Sequence, residues 1–284
     1  MRIKKLQQLI DFLRNKKAGE NEFFQAEISL SNNCKYPQFC LNAALSDEIF
    51  KNFKTSPIYR EILEHVDLKF ATEYIKEIKK YNPELLKGEL IEKFKKNDKY
   101  GNPKLFEFDD LGKISGTTLR YINILSLIIS MFDSLEGKNV CEIGVGYGGQ
   151  MRIISEYFNL NSYTLVDMHQ VLMLAQKFLD CYPIKTTINY KTMHELSYDT
   201  KYDFVISNYA FSEITREFQE IYIEKVLKNS KSGIMVMNQV AYETYNSYSK
   251  EELCQILPNN PRIIPEVPLT YENNYVIVWG EKNK

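Results

Sequence analysis

Asn139-Val140-Cys141-Glu142-Ile143-Gly144-Val145-Gly146-Tyr147-Gly148-Gly149-Gln150 decides how the rest of the sequence is read. A short apolar run, a cluster of glycines and then a helical pattern over 149–158 describe a strand, a tight turn and a helix. Gly144, Gly146 and Gly149 fit GxGxxG, in which glycine lets the backbone turn sharply and approach a ligand that meets the free N–H groups of the helix start. That spacing also marks dinucleotide sites, so the neighbouring carboxylates have to discriminate. Glu142, two residues before the turn, faces a pyrophosphate unfavourably and suits a ligand that carries a sulfonium and an ammonium. Asp167 follows the next strand pattern, about twenty residues on, where a carboxylate accepts hydrogen bonds from ribose hydroxyls. Asp167 serves NAD or FAD equally well, and a tight turn flanked by two solvated acids is a further reading of the same residues.

Downstream of Lys138 short apolar segments alternate with helical patterns, the signature of a parallel sheet covered by helices. Strands are expected at Asn139–Ile143, Ser162–Val166, Thr187–Asn189, Phe204–Ser207 and Ile234–Asn238. The chain ends differently, with Ile263–Thr270 and Tyr275–Trp279 joined as a hairpin through 271–274. An antiparallel last strand on a mostly parallel sheet sets this pattern apart from a dinucleotide-binding domain. Upstream the signal is helical: Leu6, Leu9, Ile10 and Leu13 recur at helical spacing, as do Ile62, Val66 and Phe70, continuing through Tyr74 to Ile78. Breaks fall near 31–33, at Pro57, at Pro83 and across 97–103. The expected fold is therefore α/β, with residues 1–110 a helical N-terminal extension and 111–284 the sheet domain.

Apolar residues make up 44% and charged residues 26% of the 284-residue chain, which argues against disorder and against a fibrous architecture. The net charge of -1 gives no reason to expect nucleic acid as a partner. Five cysteines without a CxxC pair argue against a disulfide framework and a zinc site, and fit a reducing, cytoplasmic setting. Met1 to Ile10 is charged and periodic, so no secretory leader is expected there. The run Tyr121–Phe132 is too short to cross a bilayer of ~30 Å and reads as a buried helix.

The sequence resembles class I S-adenosylmethionine-dependent methyltransferases with a Rossmann-like sheet, and among them a bacterial group of sugar O-methyltransferases. The resemblance covers roughly residues 97–238. It rests on Asp98-Lys99-Tyr100-Gly101-Asn102-Pro103, Ile114-Ser115-Gly116-Thr117-Thr118-Leu119-Arg120-Tyr121, the glycine turn through Gln150, Tyr163-Thr164-Leu165-Val166-Asp167 and Ser207-Asn208-Tyr209-Ala210-Phe211-Ser212-Glu213. Val145 and Met168 stand where that group has Gly and Leu. The resemblance implies S-adenosylmethionine as cofactor, a sugar or nucleotide-linked sugar as acceptor, and a place in surface polysaccharide assembly. A methyltransferase of another small metabolite and a catalytically silent cofactor-binding scaffold, with the helical half serving association into a homo-oligomer, stay open.

On this reading Glu142, Gly144, Gly146, Tyr147, Gly148, Gln150, Asp167, Met168 and Asn208 are the candidates for holding the cofactor. Ser115, Thr117 and Arg120 join them, since a guanidinium near the helix start can pair with the cofactor's carboxylate. Deprotonating an acceptor hydroxyl calls for a base. Glu213, just beyond the fourth strand, is the first candidate and His194, after the third, the second. Tyr147 and Tyr209 offer rings to the acceptor, and Asn238 and Gln239 offer amides. No acidic cluster has metal-site spacing, so no metal is expected.

Overall fold

The computed structural model describes residues 35–239 and 245–282. The helical repeat at Leu6–Leu13, the break near 31–33 and one of the five cysteines, Cys34, lie outside them. The described chain opens with helices α1 (Lys35–Leu45), α2 (Asp47–Lys51), α3 (Pro57–Ile62), α4 (Leu68–Tyr81) and α5 (Gly88–Lys95). Pro57 occupies the first turn of α3, where its missing N–H costs nothing. The periodicity expected to run unbroken from Ile62 to Ile78 is interrupted, because Asp67 caps α4 by accepting from the Phe70 N–H at 2.9 Å.

A two-stranded antiparallel hairpin, β1 (Leu105–Phe108) and β2 (Gly112–Ser115), follows where only helix and loop were expected. Four-residue strands leave too little alternation to register against a helical background. Helix α6 (Gly116–Met131) comes next, capped by the Ser115 hydroxyl and buried on nearly every side. It packs along α4, and its apolar residues enter the core shared with the sheet, which is why so little of it is exposed.

The sheet is built from β3 (Asn139–Ile143), β4 (Ser162–Val166), β5 (Thr187–Lys191), β6 (Tyr202–Asn208), β7 (Ser230–Met237), β8 (Arg262–Pro265) and β9 (Tyr275–Trp279). Spatially the order is β5-β4-β3-β6-β7-β9-β8. Strands β3 to β7 pair in parallel, and β9 runs antiparallel to both β7 and β8. This is the Rossmann-like sheet with an antiparallel end that the sequence predicted. Its first two strands have the predicted bounds, and β8 ends at Pro265, short of the expected Thr270. The segment 266–274 is a loop, turned by hydrogen bonds from Thr270 and Asn274 to the Glu266 carboxylate.

Among the described residues, helices α7 (Gly149–Tyr157), α8 (His169–Leu179), α9 (Arg216–Tyr222) and α10 (Lys250–Ile256) follow strands of the sheet. One hydrophobic core joins the extension to the sheet, running from Tyr36, Phe53, Tyr59, Ile78 and Phe94 to Leu119, Tyr147, Phe178 and Val278. Each such buried side chain contributes roughly 1.5–3 kcal/mol, so the extension is held to the sheet by far more than a linker contact. A second cluster, with Phe211, Val226, Met235 and Trp279, fills the opposite face. Among the described residues no helix is long and apolar enough to cross a membrane.

Candidate functional site

Strand β3 pairs with β4 on one side and β6 on the other, so successive connections leave its carboxyl end in opposite directions. A crevice at that switch point is where open α/β sheets hold ligands. The glycine turn sits there. Gly144, Gly146 and Gly148 have φ of 76°, 53° and 80°, values that other residues adopt only with strain. At Gly144 there is a second reason, since a Cβ would come within 2.0 Å of the Ala210 Cβ.

Asp167 directly follows β4 and staples the turn. Its Oδ2 accepts from Val145 N at 2.7 Å and Gly146 N at 3.3 Å, and its Oδ1 accepts from Met168 N at 2.7 Å. Burial raises this carboxyl to about 6, against the pull of those three N–H groups. Three of about four acceptor positions are therefore in use. Receiving both hydroxyls of a ribose requires one backbone bond to give way, a constraint that the sequence did not reveal. Met168, the next residue, caps α8 and is half-buried.

Glu142 lies inside β3 and is 2% exposed. Its Oε2 accepts from the Tyr163 hydroxyl at 2.8 Å. Burial pushes it up to about 8, the tyrosine pulls it down, and the Asp167 charge adds to the rise. Two desolvated carboxyls that resist ionisation side by side are what a cationic ligand would relieve.

Tyr147 does not face the crevice. It is fully buried and packs against Phe53, Tyr121 and Phe178, and its hydroxyl accepts from Asn97 Nδ2 at 3.1 Å. The expectation that it covers cofactor and acceptor is corrected by the extension, which supplies a pocket for the ring. Lys54, also buried, stands 4.1 Å from the centre of that ring and donates to the Asn97 carbonyl at 2.8 Å.

Ser115 and Thr117 are likewise turned inward. Ser115 donates through N and Oγ to the Asp98 carboxylate at 2.8 and 2.7 Å, and Thr118 Oγ1 donates to the same group at 2.7 Å. Two of the stretches that carry the resemblance thus bind each other. Thr117 Oγ1 donates to the Leu63 carbonyl at 3.3 Å. Neither hydroxyl is available to a cofactor, and both lie in or at the cap of α6 because that helix starts earlier than its apolar run suggested.

Gln150 and Asn208 meet across the crevice. Asn208 Nδ2 donates to Gln150 Oε1 at 3.3 Å, while Gln150 Nε2 donates to the Tyr121 carbonyl at 3.2 Å. The Asn208 Oδ1 is buried without a partner. Tyr209 follows with φ of 67°, and its hydroxyl donates to Glu266 in a short hydrogen bond. Backbone held in that region by a residue other than glycine is strained, and strain of this kind collects at functional sites.

Arg120, Asn208, Tyr209 and Glu266 line one narrow cleft, with a free volume of about 20 Å³ between its walls. Tyr74 from α4 and Asn123 from α6 complete its polar lining. Arg120 is 7% exposed, and its Nη2 donates to the Leu63 carbonyl at 3.2 Å. Glu266, Tyr74 and Asn123 were missed in the sequence, because residues this far apart share no local pattern.

Glu213 is half-buried beyond β6, its Oε1 accepting from Asn238 Nδ2 at 2.7 Å. Burial raises its carboxyl above the usual range and the Asn238 amide partly offsets the rise. Gln239 is exposed. His194 is exposed too, after β5 at the outer edge of the sheet. The strand order puts β4 and β3 between that edge and β6, the strand that ends at Asn208 and leads to Glu213. Among the described residues no group of His, Cys, Asp or Glu is arranged to hold a metal ion.

No protein-family model and no curated protein sequence matches the chain. Among solved structures it is similar to magnesium protoporphyrin IX methyltransferase from Synechocystis PCC 6803, with 15% identity over 56% of this chain and 80% of that one and a TM-score of 0.42. It is also similar to the CurJ carbon methyltransferase, with 16% identity over 56% and 52% of the two chains and a TM-score of 0.38. The methyltransferase domain of bacterial CtHen1 gives 12% identity over 56% and 96%, with a TM-score of 0.42. These likenesses concern the arrangement of sheet and helices.

Proposed function

We propose that the chain is an S-adenosylmethionine-dependent methyltransferase that methylates a hydroxyl of a sugar or nucleotide-linked sugar, in the assembly of surface polysaccharide in the cytoplasm. The observation that carries this reading is the pair of carboxylates, Glu142 buried and Asp167 half-buried, on either side of a positive-φ glycine turn at the sheet's switch point. A cation suits that pair and a pyrophosphate does not.

Asp167 and Met168 would hold the nucleoside, the backbone at Gly144, Gly146 and Gly148 would admit the ligand closely, and Glu142 would face its charged end. Gln150 and Asn208 close the far side. Bound there, S-adenosylmethionine supplies a methyl group already activated for displacement. The chain's own task is then to align an acceptor and take its proton. Glu213 is the group we assign to that step, held in place by Asn238. Its raised pKa lets it receive a proton more readily than an exposed carboxylate does, and turnover should rise with pH as it ionises. Arg120 moves from the cofactor set to the acceptor side, since no residue of the glycine turn lines its cleft.

Calorimetric titration of S-adenosylhomocysteine tests the reading. The wild type should bind it, and Asp167→Ala should weaken binding by about 100-fold, since it removes the staple of the turn as well as a ligand contact. Wild-type affinity in that variant, or preference of the unaltered protein for NADH, would overturn the assignment. With labelled S-adenosylmethionine and a nucleotide-sugar pool, Glu213→Gln should lower methyl transfer by ~10²-fold and leave cofactor affinity unchanged.

A further inference from the structure

Arg120 is the one buried cation of the cleft. Among the described residues Arg152, Arg216 and Arg262 each have a carboxylate partner within ion-pair distance, and Arg120 has none. Its Nε is buried without a hydrogen-bond partner. Burial opposes its charge, yet the electron-rich surroundings of Tyr121, Tyr74, Tyr209 and Glu64 outweigh that and favour the charged form. A guanidinium kept charged and desolvated, with no carboxylate in direct ion-pair contact, is costly unless a ligand completes it.

The other wall of the cleft has the complementary defect. Asn208 Oδ1 is an acceptor buried without a donor. Glu266 is no partner for Arg120, because its oxygens accept from the Tyr209 hydroxyl, from Thr270 and from Asn274. The residues lining the cleft come from α4, α6, the ends of β6, β7 and β9 and the start of the 266–274 loop. None comes from residues 142–150 or from Asp167, so the cleft adjoins the glycine turn through Asn208 and is separate from it.

We propose that this cleft is the acceptor site and that it takes an acceptor with a carboxylate beside its hydroxyl groups, a sugar acid, with the carboxylate on Arg120 and a hydroxyl donating to Asn208. A planar guanidinium matches a carboxylate with two parallel hydrogen bonds. A monoanion balances the one guanidinium, whereas a phosphate dianion adds repulsion from Glu266. The cleft is narrow as it stands, so entry displaces the loop beyond Glu266, where Val267, Leu269 and Tyr271 are 51%, 56% and 66% exposed.

The inference rests on the methyl-transfer reading, and separate measurements on the full chain distinguish their failures. Absence of S-adenosylhomocysteine binding by the wild type overturns that reading and this inference with it. If R120Q loses cofactor affinity by tenfold or more, Arg120 holds the cofactor's own carboxylate, and the inference falls while methyl transfer stands. With the protein saturated in S-adenosylhomocysteine, saturation-transfer NMR compares D-glucuronate and D-galacturonate with D-glucose and D-glucose 6-phosphate. At least one hexuronate should bind about 10- to 100-fold more tightly than glucose, and R120Q should erase the difference. Should R120Q not fold, Glu266→Gln provides the second arm: it keeps the side chain's size, removes a like charge and should tighten hexuronate binding. Equal binding of glucose, stronger binding of the phosphate, or no hexuronate binding overturns the proposal, as does unchanged hexuronate affinity in both variants.

Discussion

The glycine turn and the cleft beside Arg120 meet at Asn208 and are built in opposite ways. In the turn nearly every polar group is already answered: Asp167 by three backbone N–H groups, Glu142 by Tyr163, Tyr147 by Asn97. The cleft keeps a buried donor and a buried acceptor without partners, on segments far apart in sequence. One region is pre-organised by its own hydrogen bonds. The other is completed by what enters it. Substitutions in the turn should therefore act through backbone geometry and be felt in cofactor affinity and stability together, whereas substitutions in the cleft should act through charge and leave the fold alone.

The largest effect that would sharpen this contrast is expected from Gly144→Ala. A side chain at φ of 76° costs roughly 1–2 kcal/mol, and the Cβ meets the Ala210 Cβ at 2.0 Å, which adds the ~1–3 kcal/mol of an overpacked site. S-Adenosylhomocysteine affinity should fall by about 100-fold or more as the turn shifts. Pairing it with Ala210→Gly removes the clash and keeps the strain, so calorimetry on the double variant should recover part of the loss. Full recovery would mean that φ does not matter, and no recovery would mean that the contact does not.

A smaller effect, opposite in sign for stability and affinity, is expected from Glu142→Gln. The folded protein holds this carboxyl near 8, above the 4.5 of an exposed glutamate. Its contribution to stability is therefore present below pH 4.5 and lost as pH rises through 8. The substituted amide has no charge to bury, so the variant should melt above the wild type at pH 9, by roughly 2 kcal/mol or more, with the gap closing toward pH 5. Affinity for the sulfonium cofactor should fall by about tenfold, and more than affinity for its uncharged thioether product. Thermal scans at three pH values and paired titrations check both halves. A variant destabilised at pH 9 would show that the ionised carboxylate is accommodated without cost.

What the sequence revealed follows the same division. Strand, turn, helix and both carboxylates lie within thirty residues, and their meaning is local: glycine spacing, a β-strand run, an acid at a strand end. The order of the sheet followed from alternating strand and helix patterns and from the terminal hairpin. Ser115 and Thr117 were misplaced as cofactor ligands because nothing local says that Asp98 and Leu63 approach them from the extension. Glu266 and Tyr74 were invisible as cleft residues, since their role exists only after the extension and the end of the chain pack against α6. The sequence did not give the spatial order of the strands, which sets β5, and His194 after it, at the outer edge of the sheet.

The smallest effect is the one most able to break the contrast. Tyr147 belongs to the glycine turn by sequence and to the extension's core by packing, wedged among Phe53, Tyr121 and Phe178 with Lys54 against its face. Tyr147→Phe keeps the ring and removes the hydroxyl, so Asn97 loses a 3.1 Å acceptor but keeps the Thr118 hydroxyl at 3.3 Å. A net hydrogen bond is worth about 1 kcal/mol, and that is the expected loss of unfolding free energy by denaturant titration. Cofactor affinity should stay within about twofold, because the lost group faces away from the crevice while the backbone that shapes the turn is unchanged. A tenfold loss of affinity without a matching loss of stability would put the phenol on the ligand after all. In that event the turn is completed by its ligand, as the cleft is, and the two regions differ less than their hydrogen bonds suggest.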